Sequence, residues 1–116
     1  MGPRPDAVST VDRITAKALD EQLQVVHSPM ILDVRTEKEW DAGHVEGSVN
    51  IPLNRLADRL NEVPTYETVV VHCQAGYRSS IAVSLLQANG HANVMDMVGG
   101  YAAWKASQLP VVEPVA

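Results

Sequence analysis

Three consecutive valines sit inside the run Thr68-Val69-Val70-Val71-His72, and the six residues after it, Cys73-Gln74-Ala75-Gly76-Tyr77-Arg78, lead into a helix-like stretch over residues 79–86. An unbroken β-branched run reads as a parallel strand covered on both faces, because a half-exposed strand would alternate apolar with polar side chains. Such a strand needs a layer of helix above and below it, so the chain is expected to be a layered α/β domain. The same stretch places a cysteine where a buried strand turns into a helix. A helix N-terminus offers unpaired backbone N–H groups and the positive end of the peptide dipoles, and Arg78 adds a full charge beside them. Both favour thiolate over thiol. Cys73 is therefore expected to titrate below free cysteine and to be nucleophilic near neutral pH.

The alternation recurs along the chain. Residues 11–14 read as a short strand and Thr15 as the N-cap of a helix that places Leu19, Leu23 and Val26 on one face. Residues 30–34 make a second strand, and Thr36-Glu37-Lys38-Glu39 has the capping-box spacing, opening a short helix that Gly43 ends. A third strand at residues 49–51 is stopped by Pro52, and Leu53, Leu56, Ala57 and Leu60 form the apolar stripe of the helix that follows. The valine run is the fourth strand, its helix reaches Asn89-Gly90, residues 93–97 make the fifth, and Gly99-Gly100 turns the chain into a last short helix over residues 101–106. The expected fold is α/β, a five-stranded mostly parallel sheet with helices on both faces. In such sheets ligands bind beyond the carboxyl ends of the strands, which is where Cys73 stands.

A chain of 116 residues fits one such domain, with residues 1–8 read as a flexible tail or linker remnant, 9–110 as the domain and 111–116 as a C-terminal tail. A net charge of -5 without a Lys/Arg cluster argues against nucleic acid or an anionic membrane as the main partner. No apolar run is long enough to span a bilayer and the polar, proline-containing start lacks a signal-peptide pattern, so the chain reads as cytoplasmic. The single cysteine leaves no internal disulfide, no cysteine-cluster metal site and no resolving thiol. Whatever Cys73 acquires must leave to another molecule.

Four motifs in order carry a resemblance: Asp33-Val34-Arg35; Glu39-Trp40 followed by Gly43-His44-Val45, Gly47-Ser48 and Asn50-Ile51-Pro52; Cys73 with Gly76, Arg78 and Ser79; and Gly99-Gly100 with Trp104. Together they resemble the rhodanese (thiosulfate sulfurtransferase-like) domain over about residues 11–110. The resemblance implies a five-stranded parallel sheet flanked by helices. It also implies that loop length separates chemistries: six residues cradle a persulfide, whereas related cell-cycle phosphatases use seven to fit a phosphate. The loop from Cys73 through Arg78 has six. Physically, successive N–H groups aimed at the sulfur form an anion nest, and Gly76 permits the backbone twist that turns them inward. The match is similar both to free-standing rhodanese domains and to those appended to larger sulfide- or persulfide-metabolising enzymes.

The implied activity is sulfur transfer. Cys73 would take a sulfane sulfur from thiosulfate or a low-molecular-weight persulfide and pass it to cyanide, glutathione or a protein thiol, with no cofactor and no metal. Gln74, Ala75, Gly76, Tyr77 and Arg78 form the expected substrate-binding loop, and Arg78 is expected to stabilise the thiolate and grip the oxyanion of thiosulfate with its planar fork, or else to pair with a carboxylate. Asp33 and Arg35 lie at the carboxyl end of a neighbouring strand, where they either tune the pocket or pair to fix the loops. His72 should face away from Cys73 by strand alternation, His44 should be a hydrogen-bonded loop residue, and His27 and His91 should be solvated or turn histidines. Trp40 and Trp104 read as packing, and Tyr77 as lining the entrance or simply exposed. The rival readings are a phosphatase or arsenate reductase using the same cysteine, and a non-catalytic docking or sulfur-relay module.

Overall fold

The computed structural model describes residues 12–24 and 28–114. The expected tail at residues 1–8, together with Val11, Val26 and His27, lies outside the described residues. Strand β1 (Asp12–Ile14) leads through the N-cap Thr15, whose hydroxyl accepts from the Ala18 N–H, into α1 (Ala16–Gln22). Strand β2 (Met30–Asp33) precedes α2 (Glu37–Ala42), where both arms of the capping box form: Glu39 N–H donates to Thr36 Oγ1 at 3.2 Å and Thr36 N–H to Glu39 Oε1 at 2.9 Å. Then come β3 (His44–Val45), β4 (Val49–Asn50), the single turn α3 (Leu53–Leu56) and a 3-10 turn (Leu60–Glu62). The chain closes with β5 (Val69–His72), α4 (Tyr77–Ala88), β6 (Val94–Met97), α5 (Gly100–Ala106) and β7 (Val111–Val112).

Five strands pair in the order β1-β6-β5-β2-β4, every ladder parallel. The valine strand β5 is central and all four of its residues are buried, as a strand covered on both faces requires. Side-chain alternation splits the core into two. Ile31, Val70 and Met97 face α1 and α5 and pack with Leu19, Tyr101 and Trp104. Leu32, Val69, Val71 and Val94 face α3 and α4 and pack with Leu56, Ala82, Val83 and Leu86. In α4 the buried positions Ser79, Ala82, Val83 and Leu86 recur at helical spacing, and burying Val83 and Leu86 contributes about 1.5–3 kcal/mol each relative to exposure.

Three expectations are corrected. The stripe Leu53, Leu56, Ala57 and Leu60 does not make one helix: Asp58 and Arg59 donate three residues back, to Arg55 and Leu56, so the turn tightens and Ala57 rotates into solvent. His91 is buried, its ring nitrogens 3.1 Å from Leu86 O and 2.9 Å from Val63 O, so the ring is wedged between the end of α4 and the segment before β5. Within the segment read as a C-terminal tail, β7 pairs antiparallel with β3, His44 opposite Val112 and Val45 opposite Val111. A two-residue strand is too short for a periodic signal, so only its partner reveals it.

Because Val70 sits in the middle of the central strand at 0% exposure, Val70→Ala is expected to lower unfolding free energy by about 2 kcal/mol in urea denaturation. Val49→Ala, on the edge strand β4 and 42% exposed, should change it by less than about 0.5 kcal/mol.

Candidate active site

At the carboxyl ends of β2 and β5, Asp33 lies opposite His72 in register, and the chain beyond each strand builds one wall of the site. Beyond β5, Cys73 continues the alternation of Val69 and Val71 and turns its side chain toward α4. His72 turns the other way, toward Asp33 and Tyr101. Its Nδ1 is 3.0 Å from the Cys73 carbonyl, and since a carbonyl only accepts, that nitrogen carries the proton. Burial, outweighing the attraction of Asp33, holds the ring below its ordinary pKa and therefore neutral. His72 thus supports the loop from behind and does not contact the thiol.

Gly76, at φ +123°, places its N–H 3.0 Å from Cys73 Sγ, a conformation an L side chain would resist. Burial opposes the thiolate, but the Ser79 hydroxyl and the backbone N–H groups of Ser79, Gly76 and Ala75 outweigh it, and the thiol is lowered from its ordinary value. The Ser79 hydroxyl lies 3.6 Å from the sulfur and donates to Gly76 O at 3.1 Å, so the thiol can donate to it. Once the proton has gone, the same hydroxyl can rotate and donate to the sulfur.

The outer edge of the loop is held just as firmly. Tyr101 N–H donates to Cys73 O at 2.8 Å and Ala102 N–H to Gln74 O at 3.0 Å, so the start of α5 binds the loop carbonyls and leaves the loop N–H groups turned toward the sulfur. This contact explains Gly99-Gly100. A Cβ on Gly100 would collide with the Cys73 carbonyl oxygen and come within 2.8 Å of the Gln74 carbonyl carbon and oxygen, and Gly100 also has φ +59°. The glycine pair makes the turn that was expected, and it also lets α5 approach the cysteine loop.

Arg35 ties the walls together from a buried position. Its guanidinium donates to both Asp33 carboxylate oxygens at 2.8–3.1 Å, to Gly43 O at 2.7 Å and to Gln74 Oε1 at 3.1 Å, and it lies 4.2 Å from the centre of the Tyr101 ring. Of the two openings left by the sequence, Asp33 and Arg35 take the paired one. Asn50 Nδ2 donates to Asp33 O and Arg35 O at 3.0 Å each, joining β4 to the same corner.

Arg78 is not free. Its fork grips Glu39, Nη1 to Oε1 at 2.7 Å and Nη2 to Oε2 at 2.9 Å, and this contact, aided by Thr36, holds the Glu39 carboxyl down to about 2 despite partial burial. Of the remaining loop residues, Gln74, Ala75 and Tyr77 are exposed, Tyr77 at 79%. His44 stacks on Trp40, ring centres 3.4 Å apart, and its Nδ1 is 2.9 Å from Trp40 O, while Trp104 is buried and donates to Pro110 O. Sequence reasoning did not assign Ser79 or Glu39 to the site. Ser79 had a signal, since it is the residue at which the helix after the loop brings a side chain back over Cys73. Glu39 already had a sufficient explanation as the capping-box acid.

A buried cysteine of lowered pKa in a nest of backbone N–H groups, at the end of a central parallel strand, is an arrangement suited to holding negative charge on sulfur. Comparison with known proteins identifies the family. Residues 15–107 match the family model of the rhodanese-like domain, and the chain belongs to that family. It is 30% identical over 104 residues to a sulfurtransferase of Allochromatium vinosum, covering 90% of this chain and 97% of that one. It is 37% identical over 86 residues to the adenylyltransferase and sulfurtransferase uba4 of Ogataea parapolymorpha, where the match takes in 72% of this chain but only 22% of the larger protein. The crystal structure of a rhodanese-related protein from Thermoplasma volcanium superposes with a TM-score of 0.79 at 31% identity, covering 87% of this chain and 97% of that one. No helix among the described residues is long and apolar enough to cross a membrane.

Ser79→Ala should raise the Cys73 pKa, moving the pH midpoint of iodoacetamide alkylation upward, while Arg78→Gln should move it less because the Arg78 charge is already met by Glu39. Gly100→Ala should lower stability by at least about 2 kcal/mol in denaturant titration, since the clash is with backbone that cannot swing aside.

Proposed function

We propose that this domain is a sulfurtransferase that carries a sulfane sulfur on Cys73, taken from thiosulfate or a low-molecular-weight persulfide and delivered to cyanide or a thiol. The observation that carries the reading is the Gly76 N–H 3.0 Å from a buried Sγ whose pKa is lowered by its cradle, with no acid or base side chain bonded to it among the described residues. The Cys73 thiolate attacks the outer sulfur of thiosulfate, forming the Sγ–S bond as the S–S bond to sulfite breaks, and sulfite leaves with the electron pair. With a persulfide donor the leaving group is the donor thiolate. The acceptor then attacks the outer sulfur of the Cys73 persulfide, the Sγ–S bond breaks, and the Cys73 thiolate is regenerated. Sulfite and thiolates are stable leaving groups, so proton transfer is not demanded, in keeping with a loop whose side chains Gln74, Ala75 and Tyr77 offer no acid or base at neutral pH.

The extra sulfur fits the same cradle as the thiolate. N–H groups of Ala75, Gly76 and Ser79 stabilise negative charge wherever it rests on the sulfur pair. A role as a relay module, with a protein thiol as acceptor, uses the same chemistry and is supported by the partial match to the much longer adenylyltransferase and sulfurtransferase.

Incubation with thiosulfate, and separately with glutathione persulfide, should add about 32 Da to the intact protein, lost on addition of cyanide with release of thiocyanate and absent in Cys73→Ser. If freshly reduced protein gained no sulfur from either donor, the sulfurtransferase reading would fail. Turnover of an aryl phosphate in its place would establish the phosphatase alternative.

A further inference from the structure

An open pocket of about 340 Å³ is lined by Val34, Thr36, Pro52, Leu53, Asn54 and Arg78, and Val34 and Leu53 belong to the same packed cluster as Cys73. It is largely apolar, and its one charged member has its guanidinium turned onto Glu39. Glu39 is itself tied down. Oε1 accepts from Thr36 N–H, Thr36 Oγ1 and Arg78 Nη1 together, so the capping box of α2 fixes the carboxylate and the carboxylate fixes the arginine. The other cations nearby are similarly occupied or displaced: Arg35 is buried against Asp33, Arg59 pairs with Glu62, and Arg55 lies in the adjoining pocket with Glu37. Since Glu39 stays ionised at any pH above about 2, the pair is neutral throughout the range in which the thiolate exists.

Resting on the sulfurtransferase reading, we propose that Glu39 is a specificity-determining residue. By occupying the Arg78 fork it withholds the cation that a dianionic donor such as thiosulfate would need, and it favours persulfides whose leaving thiol carries an uncharged or apolar body. Arg78 is then a wall of the pocket, its stem contributing apolar surface and its head neutralised. The chemistry at sulfur is unaltered; what differs between donors is the charge brought to the pocket that Arg78 lines.

The experiment is Glu39→Gln, which removes the charge while a glutamine can still close the capping box onto Thr36. Sulfur loading of Cys73 is followed by quenched intact mass at a series of concentrations of thiosulfate and of the persulfide of 2-mercaptoethanol. The ratio of second-order loading rates, thiosulfate over the uncharged persulfide, is expected to rise about five- to tenfold in Glu39→Gln, and the gain should shrink as salt is raised. In Glu39→Gln with Arg78→Gln the ratio should return to the wild-type value or below. Loading from both donors with an unchanged or lower ratio in Glu39→Gln overturns the inference alone. Loading from neither donor in wild type overturns the sulfurtransferase reading and the inference with it. Should Glu39→Gln fail to fold, wild type still decides: between about 20 and 200 mM NaCl its thiosulfate loading should hold or rise, and a several-fold fall would reveal an unneutralised cation and overturn the proposal.

Discussion

The buried ion pair of Asp33 and Arg35 organises the end of the molecule where the cysteine stands. Two charges taken out of water cost several kcal/mol each unless nearly every donor and acceptor is satisfied. Here the Arg35 fork meets both Asp33 oxygens, the Gly43 carbonyl and the Gln74 amide oxygen, and Tyr101 covers the guanidinium face. These contacts reach the end of β2, the turn after α2, the cysteine loop and α5. A lysine could not replace this arginine, because a point charge cannot address so many acceptors in a plane. Removing either partner would leave a buried charge alone and loosen several segments at once.

The cysteine loop illustrates how polarity is set by what lies behind it. Peptide groups have two ends, and α5 and His72 hold the carbonyl ends of Cys73 and Gln74. The N–H ends of the loop are thereby left to face the sulfur, and they outweigh the burial that would favour a neutral thiol. The helix start supplies the larger part of what activates the cysteine, and Arg78, whose charge also attracts the thiolate, turns its fork onto Glu39. Local N–H groups and one hydroxyl lower the thiol, and Arg78 is held by Glu39.

Where the sequence was readable, the reason was redundancy. The valine run of β5, the Thr36–Glu39 capping box and the spacing of Ala82, Val83 and Leu86 each state their structure locally, and each agrees with the alternation around it. Errors fell where a local pattern had no local competitor to check it. Leu53, Leu56, Ala57 and Leu60 look helical, yet the chain uses a tighter turn there. His91 looks like a turn residue, yet its ring is buried between carbonyls of two distant segments. Val111 and Val112 carry no periodicity and become a strand only because His44 and Val45 present an edge to them.

By itself the sequence determined the layered α/β class, the central buried strand and the placing of one cysteine at its carboxyl end, because side-chain period and turn residues act over a few positions. It also carried the family motifs. Only the tertiary structure decided the partners of the charges. Asp33 and Arg35 are near neighbours in the chain, but Glu39 and Arg78 are 39 residues apart, and Gly100 reaches the cysteine loop through the docking of a separate helix. An ion pair is specified by where two backbones come to rest after the core has packed. That position is a property of the whole fold, and no stretch of sequence around Arg78 records that its charge is already answered.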